Sequence, residues 1–203
     1  MAKDLRNMMA KDLLVKKMNS RERLQRLTID AVLTSLALVL SIVERWIPLD
    51  LIIPVPGIKL GLANIVTLFA LLRLGPVDAL VILVIRSLIM GTISGPMTLL
   101  FSLCGGLLAM LTMWLLTQGY GRVFSTIGIS LAGAAAHNIG QVLVAGLVLN
   151  EPLLLLMYLP PLLLTSLATG TLTGVAAYPV VLRFRNISGP AVTSVRSKKE
   201  GQS

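Results

Sequence analysis

A short set of polar side chains interrupts an otherwise apolar sequence, and their types suit binding better than bond-breaking chemistry. Glu44 and Arg45 close the first apolar run, Lys59 and Asn64 stand at the start of the second, and Arg86 lies well inside the third. His137, Asn138 and Gln141 fall in the middle of the fifth, and Tyr158 precedes Pro160-Pro161 in the sixth. A charge at mid-membrane costs about 2.5 to 3.5 kcal/mol on insertion scales. Such residues therefore face a bundle interior, a cavity or a partner. His137 and Gln141 are four apart and share one helix face. Gly133, Gly140 and Val144 lie close to that face, so a ligand or another helix can approach it. Arg86 pairs with Glu44 as a structural ion bridge, or else joins Lys59 in holding an anionic substrate group while Glu44 balances either cation. The residues alone leave both readings open.

Other chemistries lack their residues. The chain has one histidine and one cysteine, Cys104, and no Cys/His pairs at zinc spacing, so no metal site is expected. It has no Gly-x-x-x-x-Gly-Lys-Ser/Thr loop for phosphates and no serine in a Gly-x-Ser-x-Gly elbow. Asp30, Asp50 and Asp78 are isolated, so no aspartate pair is present to hold magnesium on a diphosphate. The expectation is a protein that is not an enzyme and carries no cofactor.

The elements that must position these residues are membrane spans. Of 203 residues, 55% are hydrophobic and only 13% are charged, against about a quarter charged in soluble domains. Eight of the 18 Lys and Arg precede residue 27 and five more lie from Arg183 onward. The net charge of +9 thus flanks apolar runs, where it fixes orientation and meets anionic lipid headgroups. That placement argues for membrane lipid as the partner of the basic residues and against nucleic acid.

About 20 apolar residues cross a bilayer. Apolar runs at 28–46, 60–74, 77–90, 97–117, 124–149 and 153–182 predict an all-α bundle of about six transmembrane helices. The second run is short, which predicts a broken helix or a dipping loop before it. Pro160-Pro161 predicts an interruption of the sixth. Gly75-Pro76, the turn at 91–96 and Asn150-Glu151-Pro152 mark breaks. Both ends and the second and fourth turns, with Arg73 and Arg122, are basic, so the positive-inside rule puts both termini in the cytoplasm. The organisation expected is a basic N-terminal segment at 1–27, a membrane domain at 28–187 and a disordered basic tail at 188–203. The first segment repeats Met1-Ala2-Lys3-Asp4-Leu5 as Met9-Ala10-Lys11-Asp12-Leu13 and reads as a surface helix or an unordered tail. Small residues recur in the spans, and in lipid they let helix backbones approach closely.

Three runs carry a family resemblance. Pro56-Gly57-Ile58-Lys59-Leu60-Gly61-Leu62-Ala63-Asn64-Ile65-Val66 resembles the start of helix two in substrate-binding S components of energy-coupling-factor (ECF) transporters. Together with Ser102-Leu103-Cys104-Gly105-Gly106 and Gly133-Ala134-Ala135-Ala136-His137-Asn138-Ile139-Gly140-Gln141, it is similar to the bacterial Gx transporter family, also labelled heptaprenyl diphosphate synthase component I. The resemblance covers about residues 28–182. It implies six helices in a bacterial cytoplasmic membrane, a small-molecule substrate, and a partner module of one membrane coupling protein and two cytoplasmic ATPases. It implies that Ala31 and Ser35, small residues at four-residue spacing on helix one, meet the coupling protein. It further implies a ligand beneath the loop after helix one, with Lys59, Asn64, Arg86 and His137 around it. The other label implies a non-catalytic membrane subunit linked to polyprenyl diphosphate synthesis, and a stand-alone carrier or scaffold is the third reading.

Overall fold

The computed structural model describes residues 2–47, 61–121, 123–151 and 153–183. Six α-helices follow in order: α1 Ala2–Arg45, α2 Asn64–Arg73, α3 Pro76–Ser94, α4 Pro96–Thr117, α5 Thr126–Leu149 and α6 Leu153–Arg183. The boundaries have local causes. Pro76 and Pro96 occupy the first helical position of α3 and α4, where a missing N–H costs nothing. One residue, Gly95 at φ 92°, joins α3 to α4, and only glycine takes that backbone region without strain. Ser125 caps α5 by accepting from Gly128 N–H at 3.1 Å, and Asn150 ends it in the left-handed conformation.

Five helices hold segments long and apolar enough to cross a membrane: Arg23–Arg45, Pro76–Ser94, Pro96–Thr117, Thr126–Leu149 and Met157–Arg183. Their outward faces carry Leu36, Val39, Leu80, Leu111, Leu147, Leu164 and Leu172, all exposed. So broad an apolar surface would be a liability in water and is the normal surface in lipid. The chain is thus a multi-pass α-helical membrane protein. The second run forms a helix of only ten residues, about 15 Å long, or half the hydrocarbon thickness, in keeping with its expected shortness. Two features differ from expectation. Pro160 and Pro161 do not interrupt α6, which continues through them and through Pro179. A membrane helix tolerates proline where side chains and neighbouring helices serve the freed backbone groups, and here α6 packs along α5 and α2. Finally, α1 runs unbroken from Ala2 through residues 27 and 28, so the basic segment and the first span share one helix. The tail at 188–203 lies outside the described residues.

The short α2 is the hub. It touches all five other helices, while α3, α4, α5 and α6 pack in sequence beside it and α1 leans on α2 and α3. Glycines set the close approaches. A Cβ at Gly140 of α5 would lie 2.8 Å from Gly105 Cα of α4. Cβ atoms at Gly170 and Gly174 of α6 would each lie 2.7 Å from an α5 Cα, of Leu131 and Ile127. The Ser130 and Thr173 hydroxyls hydrogen-bond across that same α5–α6 seam. This is small-residue packing of the kind that holds helices together in lipid.

Two separate apolar cores result. The larger joins α2 to Leu33, Ile82, Leu83, Met113, Ile129 and Val181. The smaller joins Phe101, Val142, Ala145 and Leu162. Between them along the chain, α4 contributes Ser102, Gly105 and Gly106 and α5 His137, Asn138 and Gln141, and α3 adds Arg86 and Ser87 just past its part of the larger core, with every polar member buried. The bundle therefore carries a polar layer between two apolar ones. Arg86 stands ten residues after Pro76, about 15 Å along α3 and so near mid-membrane.

Candidate functional site: a buried polar layer

The layer is built from helix ends and helix middles. Glu44 sits in the last turn of α1 and is 3% exposed. Its Oε1 accepts a hydrogen bond from the Gly61 N–H. Gly61 opens the turn into α2, with Asn64 N–H donating to its carbonyl at 2.9 Å. A carboxylate is favoured at a helix N-terminus, so Glu44 fastens the start of α2 to the end of α1. Gly61 has φ +82°, and a Cβ there would lie 2.8 Å from Asn64 Nδ2 and 3.1 Å from His137 Cδ2. Glycine is thus required both by the backbone and by the close approach of α2 to α5.

Arg86 is 4% exposed. Its Nη1 donates to Ser41 Oγ at 3.2 Å, and its guanidinium feels the charge of Glu44. Ser41 lies three residues before Glu44, so one face of α1 supplies both a hydrogen-bond acceptor and a counter-charge to α3. Neither Nε nor Nη2 of Arg86 has a hydrogen-bond partner among the described residues. Nη2 points at α4, where a Cβ on Gly106 would lie 3.5 Å from it. On the next residue, a Cβ on Gly105 would lie 2.9 Å from the His137 carbonyl oxygen, 3.0 Å from Gln141 Cγ and 3.2 Å from His137 Cε1. The bare Gly105-Gly106 step of α4 thus lies between the α3 cation and the α5 polar pair. Asn64 is 5% exposed, and both its amide atoms lack a hydrogen-bond partner.

Glu44, Asn64, Arg86, His137 and Gln141 are therefore drawn together from α1, α2, α3 and α5. Asn138 turns away from them to α6, where its amide donates to Leu162. Tyr158 packs, half-buried, against the smaller apolar core. Lys59 lies outside the described residues, as does the Pro48–Lys59 loop. Ala31 and Ser35 are exposed on the outer face of α1, and Ser35 Oγ donates to the Ala31 carbonyl within that helix at 2.8 Å. They share one open, largely apolar face of α1 with Leu24, Leu27, Thr28 and Val32. Sequence reasoning missed Ser41 and Gly61. Ser41 was within reach through its i, i+3 spacing from Glu44, whereas the contact of Gly61 with Glu44 spans 17 residues and leaves no local signal.

Convergent hydrogen-bonding groups and a fixed cation, held in a buried layer by five helices, can bind a polar group. Among the described residues, no three of His, Cys, Asp or Glu are grouped to hold a metal ion. The fold and layer define a multi-pass helical membrane protein with a polar interior. The profile of the family described as heptaprenyl diphosphate synthase component I matches residues 33–180, and the chain belongs to that family. Comparison with curated proteins and with solved structures yields no match.

Proposed function

We propose that this chain is the substrate-binding membrane component of an ECF-type transporter, capturing a small, partly hydrophobic or anionic metabolite for ATP-driven uptake. The observation that carries the reading is the buried polar layer at mid-membrane. Burying Arg86, Glu44, Asn64, His137 and Gln141 there is costly, and a bundle that needed only stability would fill the layer with apolar side chains. Asn64 and Arg86 keep hydrogen-bonding groups that no described residue uses, as expected of groups kept for a ligand.

The outer face of α1 supports the same reading. Among the described residues, α1 packs on α2 and α3 alone and leaves Ala31 and Ser35 exposed. Two small residues one turn apart on an exposed face allow another membrane helix to come close. On this proposal that helix belongs to the coupling protein, with two ATPases below it in the cytoplasm. On this proposal the membrane is the bacterial cytoplasmic membrane, and the chain itself is not catalytic. A tagged pull-down from native membranes, repeated in several mild detergents, is expected to recover the coupling protein and both ATPases. Recovery of none of them would count against the proposal.

The family's description favours a second reading, a non-catalytic membrane subunit linked to polyprenyl diphosphate synthesis. It predicts an altered length or amount of polyprenyl products on deletion. Unchanged products would remove it.

A further inference from the structure

The hydrogen bonding of Arg86 limits what the layer can hold. A guanidinium presents five N–H donors in a rigid planar fork. One of its nitrogens, Nη1, is fixed by Ser41 Oγ at 3.2 Å. The two nitrogens without a hydrogen-bond partner are Nε and Nη2. Nε–H and the adjacent Nη2–H are parallel and lie along one edge of the guanidinium, the edge that takes both oxygens of a carboxylate or two oxygens of a phosphoryl group. The donors left over are thus not a random remainder. They form a complete bidentate edge, 96% or more removed from solvent with its residue, since Arg86 is 4% exposed. Gly106, whose Cβ would lie 3.5 Å from Nη2, keeps α4 from covering that edge with a side chain.

Glu44 does not use the edge. It gives Arg86 a counter-charge, but its Oε1 accepts from Gly61 N–H at the start of α2. The nearest polar residue along α2 is Asn64, also buried, whose amide oxygen and nitrogen both lack a hydrogen-bond partner. An amide offers one acceptor and two donors in a plane. It recognises a group that also donates and accepts, such as an amide or a hydroxyl.

We propose that the layer binds a small ligand through one oxyanion, a carboxylate or phosphoryl group seated on the Nε–Nη2 edge of Arg86, with a neighbouring donor–acceptor group read by Asn64. This rests on the reading of the bundle as a substrate-capture subunit and narrows it to a class of substrate. Arg86 holds the head group, Ser41 positions Arg86, and Gly106 leaves the space.

The test uses the full chain in lipid nanodiscs and three soluble probes: benzoate, phenyl phosphate and the uncharged benzamide. A ligand that binds only the folded state stabilises it by RT ln(1 + L/Kd), where L is the free ligand concentration, so its unfolding temperature rises with that concentration. The probes are titrated to millimolar concentration, where fragment-sized ligands bind. The expected result is concentration-dependent stabilisation by benzoate or phenyl phosphate, the stronger of the two naming the head group, and a much weaker response to benzamide, which offers an amide to Asn64 but no oxyanion to Arg86. Arg86→Gln is expected to weaken that response about thirtyfold or more. Arg86→Lys keeps the buried charge but not the fork, and is expected to weaken it about tenfold. If Arg86→Gln does not fold, the lysine variant carries the test. An equal response to benzamide, an unchanged response in the lysine variant, or no response to either anion would overturn the proposal. An edge satisfied by buried water would give that last result. None of these outcomes alters the recovery of coupling protein and ATPases in the pull-down, so loss of the oxyanion proposal remains distinct from loss of the transport reading.

Discussion

Replacing Gly140 with alanine tests the packing that holds the polar layer together. The new Cβ would lie 2.8 Å from Gly105 Cα, 3.0 Å from the Cys104 carbonyl oxygen and 3.2 Å from Gly105 N. All three are backbone atoms of α4, so no rotamer change relieves the contact. Bringing the shortest distance to the 3.4 Å of ordinary contact requires α4 and α5 to part by about 0.6 Å. Overpacking costs roughly 1 to 3 kcal/mol, and a backbone obstacle puts this case at the top of that range. Alanine returns up to about 1 kcal/mol through helix propensity. The net expectation is a loss of about 2 kcal/mol, with the opposite sign for a control on the same helix. Gly128→Ala meets only Ser125 Oγ, at 3.5 Å, and should gain about 0.5 to 1 kcal/mol. Reversible unfolding of the purified chain in one detergent, followed by far-UV circular dichroism, measures both. Gly140→Ala as stable as the wild type, or Gly128→Ala equally damaged, would refute the reasoning.

Two further predictions separate scaffold from surface. Asn138→Ala loses the 2.7 Å bond to the Leu162 carbonyl, which keeps its bond from Thr165 Oγ1 at 2.8 Å, so the acceptor is not orphaned. The expected cost is about 1 kcal/mol in the same unfolding assay, with ligand retention by native mass spectrometry unchanged; loss of ligand in a well-folded variant would move Asn138 into the site. Ala31→Phe combined with Ser35→Phe alters exposed positions and should leave bundle stability within about 0.5 kcal/mol while abolishing recovery of the coupling protein in pull-downs. An intact complex would remove the proposed contact.

The long, uniformly apolar runs made five spans legible, because hydrophobic length and Pro or Gly breaks determine where a membrane helix begins and ends. α5 and α6 were anticipated to within two residues. α2 was harder, since a short central helix takes its length from the five helices around it and not from its own sequence. Pro160-Pro161 misled for the opposite reason: local propensity favours a break, but tertiary contacts along α6 sustain the helix. Among polar residues, position at or within an apolar run was the signal, and it singled out Glu44, Asn64, Arg86, His137 and Gln141 together with Asn138 and Tyr158, which face α6 and the smaller core, and Lys59, which lies outside the described residues. Periodicity alone could not distinguish Asn138, which is adjacent to His137 in sequence but about 100° away around the helix and serves α6. Nor could it reveal that the Gly105-Gly106 step matters as bare surface opposite Arg86, His137 and Gln141.

The most direct test of the central claim, that the polar layer receives a substrate, is native mass spectrometry of the full chain purified gently from its own membranes, with His137→Ala in parallel. The account predicts a small molecule of defined mass on the wild-type chain, and a folded His137→Ala chain that retains much less of it. A retained molecule unaffected by the substitution, or a wild-type chain that emerges empty and without its partners, would contradict the account.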